Sequence, residues 1–336
     1  MSDTHAVRAG WLIDGSGGPP QRDVLLRMQD GIITAITPYA PDGEGDALPI
    51  ADLAHAVLCP PFIDCHVHLA LSGTTDLQLR RRLAEASYSD IRPVIRRHID
   101  DLFAHGVLAA RDADDREGLL QRYAEEQVTS GVPPVVISVA GQAGYAGGTG
   151  IVDVNGRESV GTAITGGCHA IVHGCGMGRD NLLRMVERGV VLVPTLQAMK
   201  AAADQAADAA EKKLAAKGLA AQIEQVALAR ELGVTVALGT DSGSPGVLHG
   251  EAVVEEMKLL IRAGFSLTGA IRCATVNAAG LLDLDRGRIA VGRRADFVVA
   301  RGTPAQLPRK FSYLEAIWLA GHPSPIYRKN PQRSER

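Results

Sequence analysis

The sequence predicts an α/β protein: a TIM-like (β/α)8 barrel short of one strand–helix unit, with a small composite β-sandwich made from both chain ends. Three observations predict it. From about residue 57 onward, short apolar strands alternate with amphipathic helical stretches, the texture of a parallel sheet covered by helices. Before that point, and again after about residue 284, short strands are broken by turns instead. Several of the apolar strands also end in histidine or aspartate, at the strand ends where parallel barrels place their chemistry.

The elements follow in order. Residues 6–57 read as short strands, and the apolar runs "VLLRMQD" and "GIITAIT" join through Asp30-Gly31, a hairpin signal. "PDGEGDAL" (41–48) reads as a loop. "AVLCPPFIDCHVH" opens the alternating region. Ile95, Ile99, Leu102 and Phe103 are spaced for one helix face, ahead of the strand "VLAARDAD" (107–114). The strands "PVVISVAG" (134–141), "IVDV" (151–154), "AIVHG" (170–174), "VVLVPT" (190–195) and "VTVALGTD" (234–241) follow, with helices over 179–188 and 198–232. With the strand at 57–65 this makes seven, whereas a closed barrel of this type has eight. The shortfall falls in the Gly-rich stretch 140–155. "RGRIAVGRRADFVVARG" and "LEAIWLAGHPSPIY" return to strand-and-turn texture, and the charged tail "RKNPQRSER" is expected to fray. The expected division is 58–283 for the barrel and 1–57 with 284–336 for the accessory β domain.

Bulk properties remove several classes of function. Net charge is −3 and aromatics are 4% of the 336 residues, so neither a polyanion-binding face nor a stacking platform for nucleic acid is expected. The five cysteines have no secretory spacing, no signal peptide is visible, and no apolar run reaches membrane-spanning length. A cytoplasmic protein with a small-molecule substrate is the expectation, with no membrane or nucleic-acid partner and with a homo-oligomer as the default assembly.

His66 and His68 lie two apart at the end of an apolar run, so a strand would aim both imidazoles to one face, which is half of a zinc site. His-x-His also arises by chance, and the partners decide. Asp241 ends the strand "VTVALGTD"; the plain alternative, a helix cap, is weakened because "SGSPG" follows. His173 tips another short strand before a glycine. His249, in "PGVLHGEAVV", is either a substrate-binding residue or the flank of the next helix. Cys168 and Cys175 around "CHAIVHGC" would crowd a structural zinc site into one strand. His98 and His105 read as surface or packing residues, and His169 points away from His173.

These stretches together resemble the amidohydrolase superfamily, near its imidazolonepropionase-like and prolidase-like branch, over nearly the whole chain. "LCPPFIDCHVHL" resembles the first barrel strand of that family, with Pro61 for its usual Gly. "GVLAARDAD" resembles the second, "GGCHAIVHG" the sixth, "GVVLVPTL" the seventh and "GTDSGSPGVLHGE" the eighth with its loop. "ATVNAAGLLDLDRGRIAVGRRADFVV" resembles the return to the accessory sheet. There are two departures. Binuclear members carry a carboxylated Lys at the fourth strand, and no Lys precedes Lys200 here. The fifth-strand His is replaced by Asp153 in "IVDVNGRE".

The resemblance implies metal-assisted hydrolysis of an amide or cyclic-amide C–N bond. His66, His68 and Asp241 would hold a divalent ion, Zn by default and one rather than two. Asp241 would serve as general base and acid. His173 would ligate a second ion or polarise the substrate carbonyl, and Asp153 would stand in as a ligand. Two alternatives stay open: a heterocycle deaminase of the same superfamily, and a catalytically inactive relative that binds without turnover.

Overall fold

A computed structural model describes residues 3–41, 48–115, 118–130, 135–139 and 150–327. Parts of four sequence expectations lie outside them: residues 42–47 of the loop, residues 134, 140 and 141 of the strand expected over 134–141, residues 140–149 of the Gly-rich stretch, and the tail 328–336.

Strands β1 (Thr4–Leu12), β2 (Gln21–Gln29), β3 (Ile32–Pro38) and β4 (Ile50–Cys59) come from the start of the chain. Their sheet is completed by β11 (Phe297–Arg301), β12 (Ala316–Leu319) and β13 (His322–Pro323), in the order β13-β12-β11-β4-β1-β2-β3. Both chain ends therefore share one seven-stranded sheet. Its buried face carries Leu12, Leu26, Met28, Ile33, Leu58, Phe297 and Trp318. The β2–β3 hairpin turns at Asp30-Gly31, with φ of 50° and 80°. Two consecutive positive φ angles give the turn that matches strand twist, and glycine takes one at no steric cost.

The alternating region supplies two parallel three-stranded sheets. One holds β5 (Phe62–Val67), β6 (Val107–Asp112) and β7 (Val136–Val139); the other holds β8 (Ile151–Val154), β9 (Ala170–His173) and β10 (Val191–Val193). Residues 234–242 knit them together. Val236 bridges Leu192 of β10, and Ser242 bridges Val67 of β5. Cys65 N donates to Leu238 O, and Asp241 N donates to His66 O, each at 2.9 Å. The stretch expected as a strand thus runs between β10 and β5, but through single bridges rather than a continuous ladder. One reason is that Leu238 N leaves the ladder and donates to Cys273 O at 2.9 Å.

The combined order is β8-β9-β10-(234–242)-β5-β6-β7. In a flat sheet β8 and β5, four steps apart, would be about 19 Å from each other. Yet Asp153 Oδ1 of β8 lies 3.9 Å from His66 Nδ1 of β5. The sheet is therefore rolled, so that residues far apart in strand order meet across its interior.

Helices cover the outside. α2 (Tyr88–Ala104), the second after α1 (Leu77–Ala84), buries Ile91, Ile95, Ile99, Leu102 and Phe103. The expected helix over 198–232 is two, α6 (Leu196–Asp204) and α7 (Ala209–Leu232). Asp208 makes the break, because its carboxylate caps α7 by accepting from Ala210 N and Glu211 N at 2.8 Å each. Among the described residues no helix is long and apolar enough to cross a membrane.

Phe62 starts β5 fully buried, with its ring edge-on to Phe311 at 4.9 Å, and so ties the rolled sheet to the C-terminal segment. Phe62→Ala leaves a cavity in a site that cannot collapse freely. It is expected to lower stability by about 3–5 kcal/mol in urea unfolding, and a loss below about 1 kcal/mol would contradict this packing role.

Candidate metal centre

The polar side chains of the rolled sheet converge where its strands end. His66 lies on β5 and His68 just beyond it, with ring centroids 5.2 Å apart and planes nearly perpendicular. Asp241 arrives on the adjoining stretch: its Oδ1 is 3.0 Å from His68 Nε2 and 3.6 Å from His66 Nε2. His173, at the end of β9, stands 5.4 Å from the His66 ring. Two groups of potential ligands result, His66–His68–Asp241 and His66–Asp153–His173, and they share His66.

Backbone conformation at these tips is unusual. His173, Thr195 and Asp241 have φ of 62°, 48° and 61°, in the left-handed region that side chains disfavour. Each such residue stores on the order of 1–3 kcal/mol, and such strain persists where surrounding structure over-determines it. The surroundings do so here. Asp64, fully buried two residues before His66, accepts from Thr240 N at 3.0 Å, Thr240 Oγ1 at 2.6 Å and His66 N at 3.3 Å. Asp112 accepts from Leu69 N at 2.7 Å and fixes the turn after His68. Gly239 permits close approach, since a Cβ there would lie 2.4 Å from Val193 Cγ1 and 3.0 Å from His66 Cβ.

The tautomer of His173 follows from its neighbours. The Thr195 hydroxyl donates to Pro194 O at 2.8 Å, so it can only accept from His173 Nδ1 at 2.7 Å. This leaves the lone pair on Nε2, available to a metal or a substrate proton. Gln222 Nε2 donates to the carbonyl of His173 at 2.6 Å. Behind Thr195, buried Glu256 accepts from Leu196 N at 3.0 Å and Gln197 N at 2.6 Å, anchoring the start of α6.

Burial raises the carboxyl pKa of Asp241, but the hydrogen bonds and charges of His66 and His68 outweigh it and hold the group well below its usual range. Burial lowers His68, and its hydrogen bond to Asp241 together with the charge of that carboxylate more than offsets this, so its net shift is upward. His173 is lowered by burial and then by His66. Burial lowers Arg111, opposed chiefly by the charge of Asp153, and Arg111 Nη1 is buried without a hydrogen-bond partner. His66 Nδ1 and His68 Nδ1 are buried without partners too. Two imidazole Nε2 atoms facing a carboxylate held ionised, with further imidazole nitrogens buried and unpaired behind them, are the donor chemistry that suits a divalent cation.

Four predicted residues, His66, His68, His173 and Asp241, are brought together, and Asp153 joins them. His249 stands one layer behind. It is 3% exposed, stacked on His98 at 4.0 Å, and its Nε2 donates to His68 O at 3.2 Å. His98, a packing residue as expected, donates from Nδ1 to Leu69 O at 2.8 Å. Asp64, Asp112, Thr195, Gln222 and Glu256 escaped the sequence reading. Asp64 alone had a signal, its place at i−2 from His66 in "FIDCHVH".

The amidohydrolase family model matches residues 149–321, more than half of the chain. The chain belongs to the amidohydrolase family. An uncharacterized protein of Mycobacterium tuberculosis (strain H37Rv) is 33% identical over 168 residues, a match spanning 47% of this chain and 43% of the relative. An imidazolonepropionase of Aliivibrio fischeri is 31% identical over 70 residues, 21% of this chain and 17% of that one. A solved Xaa-Pro dipeptidase with methionine bound in its active site superposes with a TM-score of 0.80 at 19% identity, over 96% of this chain and 100% of that one. The ochratoxinase of A. niger superposes at 0.78 with 17% identity, covering 96% of each chain. Both share the fold.

Burial pushes Glu256 up to about 8, Asp64 to about 7 and Asp112 to about 6, in each case against hydrogen bonds that favour the ionised form. A carboxyl whose folded pKa is raised contributes stability that is fully present below its unfolded pKa and lost as pH rises through the folded one. Chelator-treated protein is expected to lose stability progressively from about pH 5 to about pH 8. Glu256→Gln should make that decline shallower in urea unfolding across the range, and an unchanged slope would mean that Glu256 does not hold its proton there.

Proposed function

We propose that the chain is a metal-dependent hydrolase of small-molecule amides or cyclic amides, cleaving a C–N bond with an activated water. The observation that carries this reading is the meeting of His66, His68 and Asp241 at the ends of parallel strands, with Nε2 of both imidazoles facing one carboxylate oxygen of Asp241. Family membership supports it, as does the shared fold with a Xaa-Pro dipeptidase. We take 58–283 as the hydrolase domain, a barrel lacking one strand–helix unit between β7 and β8, and 1–57 with 284–336 as an accessory β domain. A cytoplasmic location and a homo-oligomer are proposed on sequence grounds alone.

His66, His68 and Asp241 would hold the ion. Imidazole and carboxylate donors suit zinc, whose Lewis acidity makes a water acidic enough to attack near neutral pH and polarises a carbonyl. One ion is favoured over two because both ligand groups need His66, and a neutral imidazole has a single lone pair. Asp241 takes the proton of the attacking water on its carboxylate and passes it to the leaving nitrogen. The hydrogen bonds and charges of His66 and His68 keep it ionised, as a metal ligand must be. His173 orients or polarises the scissile carbonyl through Nε2, with Thr195 holding the ring. Asp153, whose side chain is 44% exposed, lies at the open side of the cluster and is a further candidate ligand. His249 and His98 hold the backbone at 68–69 in place, which assigns His249 to positioning rather than to substrate contact.

Binding without turnover is the second reading, motivated by the absence of any Lys before Lys200 and by Asp153 in place of histidine. Elemental mass spectrometry tests the metal assignment, and an activity panel separates the two readings. The wild type should exceed His66→Ala/His68→Ala by about one ion per chain. On a panel of N-acyl amino acids, dipeptides and cyclic amides, Asp241→Asn should lower kcat by a factor of about 10²–10⁴. Equal metal content in both proteins after zinc is supplied would overturn the metal assignment, and a fully loaded protein inactive on the panel would favour the binding reading.

A further inference from the structure

A second cluster of metal-type ligands lies on the seven-stranded sheet, where two hairpin turns meet. The β2–β3 turn is Asp30-Gly31 and the β12–β13 turn is Ala320-Gly321, with φ of 50°, 80°, 48° and 83° in that order. They pack directly on one another: a Cβ on Gly31 would lie 2.9 Å from Ala320 Cβ. Around this contact stand Asp3, His5 and His322, close enough for one atom of each to share an ion.

Each is held in place before any ligand arrives. Asp3 is pinned by its main chain, since its N–H donates to Asp30 Oδ1 at 3.0 Å and its carbonyl accepts from Asp30 N at 2.9 Å. His5, in β1, is paired with Met28 of β2, and its Nε2 meets Gly321 O at 2.7 Å. His322 faces Leu319 across the β12–β13 hairpin, and its Nε2 donates to Asp3 Oδ2 at 2.6 Å, so a bound ion displaces that proton and parts the two atoms by several tenths of an ångström. The two rings lie 4.7 Å apart.

The orientation of His5 points to a cation. A carbonyl oxygen only accepts, so Nε2 carries a proton and the lone pair of the neutral ring sits on Nδ1. That atom is buried and has no hydrogen-bond partner. It faces Asp3 Oδ1 at 3.4 Å, so two acceptors confront each other. A cation between them removes the conflict. The separation also matches the distance of about 3.3 Å between two ligands on a tetrahedral zinc ion. A ring whose other nitrogen donates to a backbone carbonyl is the usual arrangement for a metal-bound histidine. The side chains of Asp3 and His322 are 53% and 56% exposed, which leaves the ion an entry path from solvent.

We propose that Asp3 (one carboxylate oxygen), His5 (Nδ1) and His322 (Nε2) form a structural site for a divalent transition-metal ion, zinc above all, with water completing its coordination. The site clips the last strand of the accessory sheet to the start of the first. It shares no residue with the catalytic cluster, so the hydrolase reading stands or falls without it.

The test uses the tag-free full-length chain carrying His66→Ala/His68→Ala, titrated with Zn²⁺ alone by calorimetry. One equivalent should bind with a micromolar dissociation constant, and Tm should rise by about 4 °C at a hundredfold excess over that constant. Adding His322→Ala or Asp3→Asn should weaken binding by at least about tenfold and remove the Tm rise. If the double variant does not fold, the wild type is titrated with Co²⁺, and His322→Ala should lose one equivalent by visible absorption. Binding no tighter than millimolar, or binding unchanged by His322→Ala and Asp3→Asn, overturns the proposal.

Discussion

The candidate centre depends on the grip of one buried carboxylate. Asp64 has no exposed surface and accepts from the amide and the hydroxyl of Thr240 and from the amide of His66. Those bonds reinforce the backbone hydrogen bonds from Cys65 N to Leu238 O, Asp241 N to His66 O and His68 N to Ser242 O, and together they fasten residues 234–242 to β5. That attachment fixes Asp241 relative to His66 and His68. Thr240 Oγ1 in turn lies 2.5 Å from Ser242 Oγ, so the polar contacts form a chain rather than single links. A buried network of this kind costs desolvation and is favourable only when its members are satisfied. Here the return is geometric: it places a carboxylate against two imidazoles.

The same logic explains the strain at the strand tips. His173, Thr195 and Asp241 take left-handed backbone angles that their side chains disfavour. Gln222 holds the carbonyl of His173, Glu256 anchors the amides just after Thr195, and the amide of Asp241 bonds to His66. Each tip is held from behind while its side chain turns inward. His249 and His98 perform a similar service for the chain at 68–69, and the two rings are buried and stacked directly behind the cluster.

The departures from the family resemblance acquire a physical sense. With no lysine before Lys200 to be carboxylated, the centre has no bridging carbamate. Asp153, which the resemblance sets against the family's fifth-strand histidine, brings negative charge near His66. Arg111, buried with a free Nη1, places positive charge within electrostatic reach of Asp153. The charge balance of this side of the cluster is therefore set by Asp153 and Arg111 together, a pairing that no local motif discloses.

Periodicity by itself determined the parallel α/β character, the approximate positions of six strands of the alternating region and the hairpin at Asp30-Gly31, because these are local properties of side-chain alternation and turn chemistry. It ran the end of β4 and the start of β5 together as one strand at 57–65, although they belong to different sheets, and it took the bridged stretch 234–241 for a continuous strand. It also marked His66, His68, His173 and Asp241, since ligand-type side chains at the ends of apolar strands stand out along the chain. Tertiary structure alone decided which of them meet. The rolling of the sheet brings β8 to β5 across four strand steps and sets the Asp153 carboxylate, which only the family resemblance had pointed to, 3.9 Å from His66. It also assigned His249 to the layer behind the cluster, and it brought His322 to within reach of Asp3 and His5. The reason is the same in each case: a strand's sequence specifies which way its side chains alternate, but curvature and long-range pairing specify what they face.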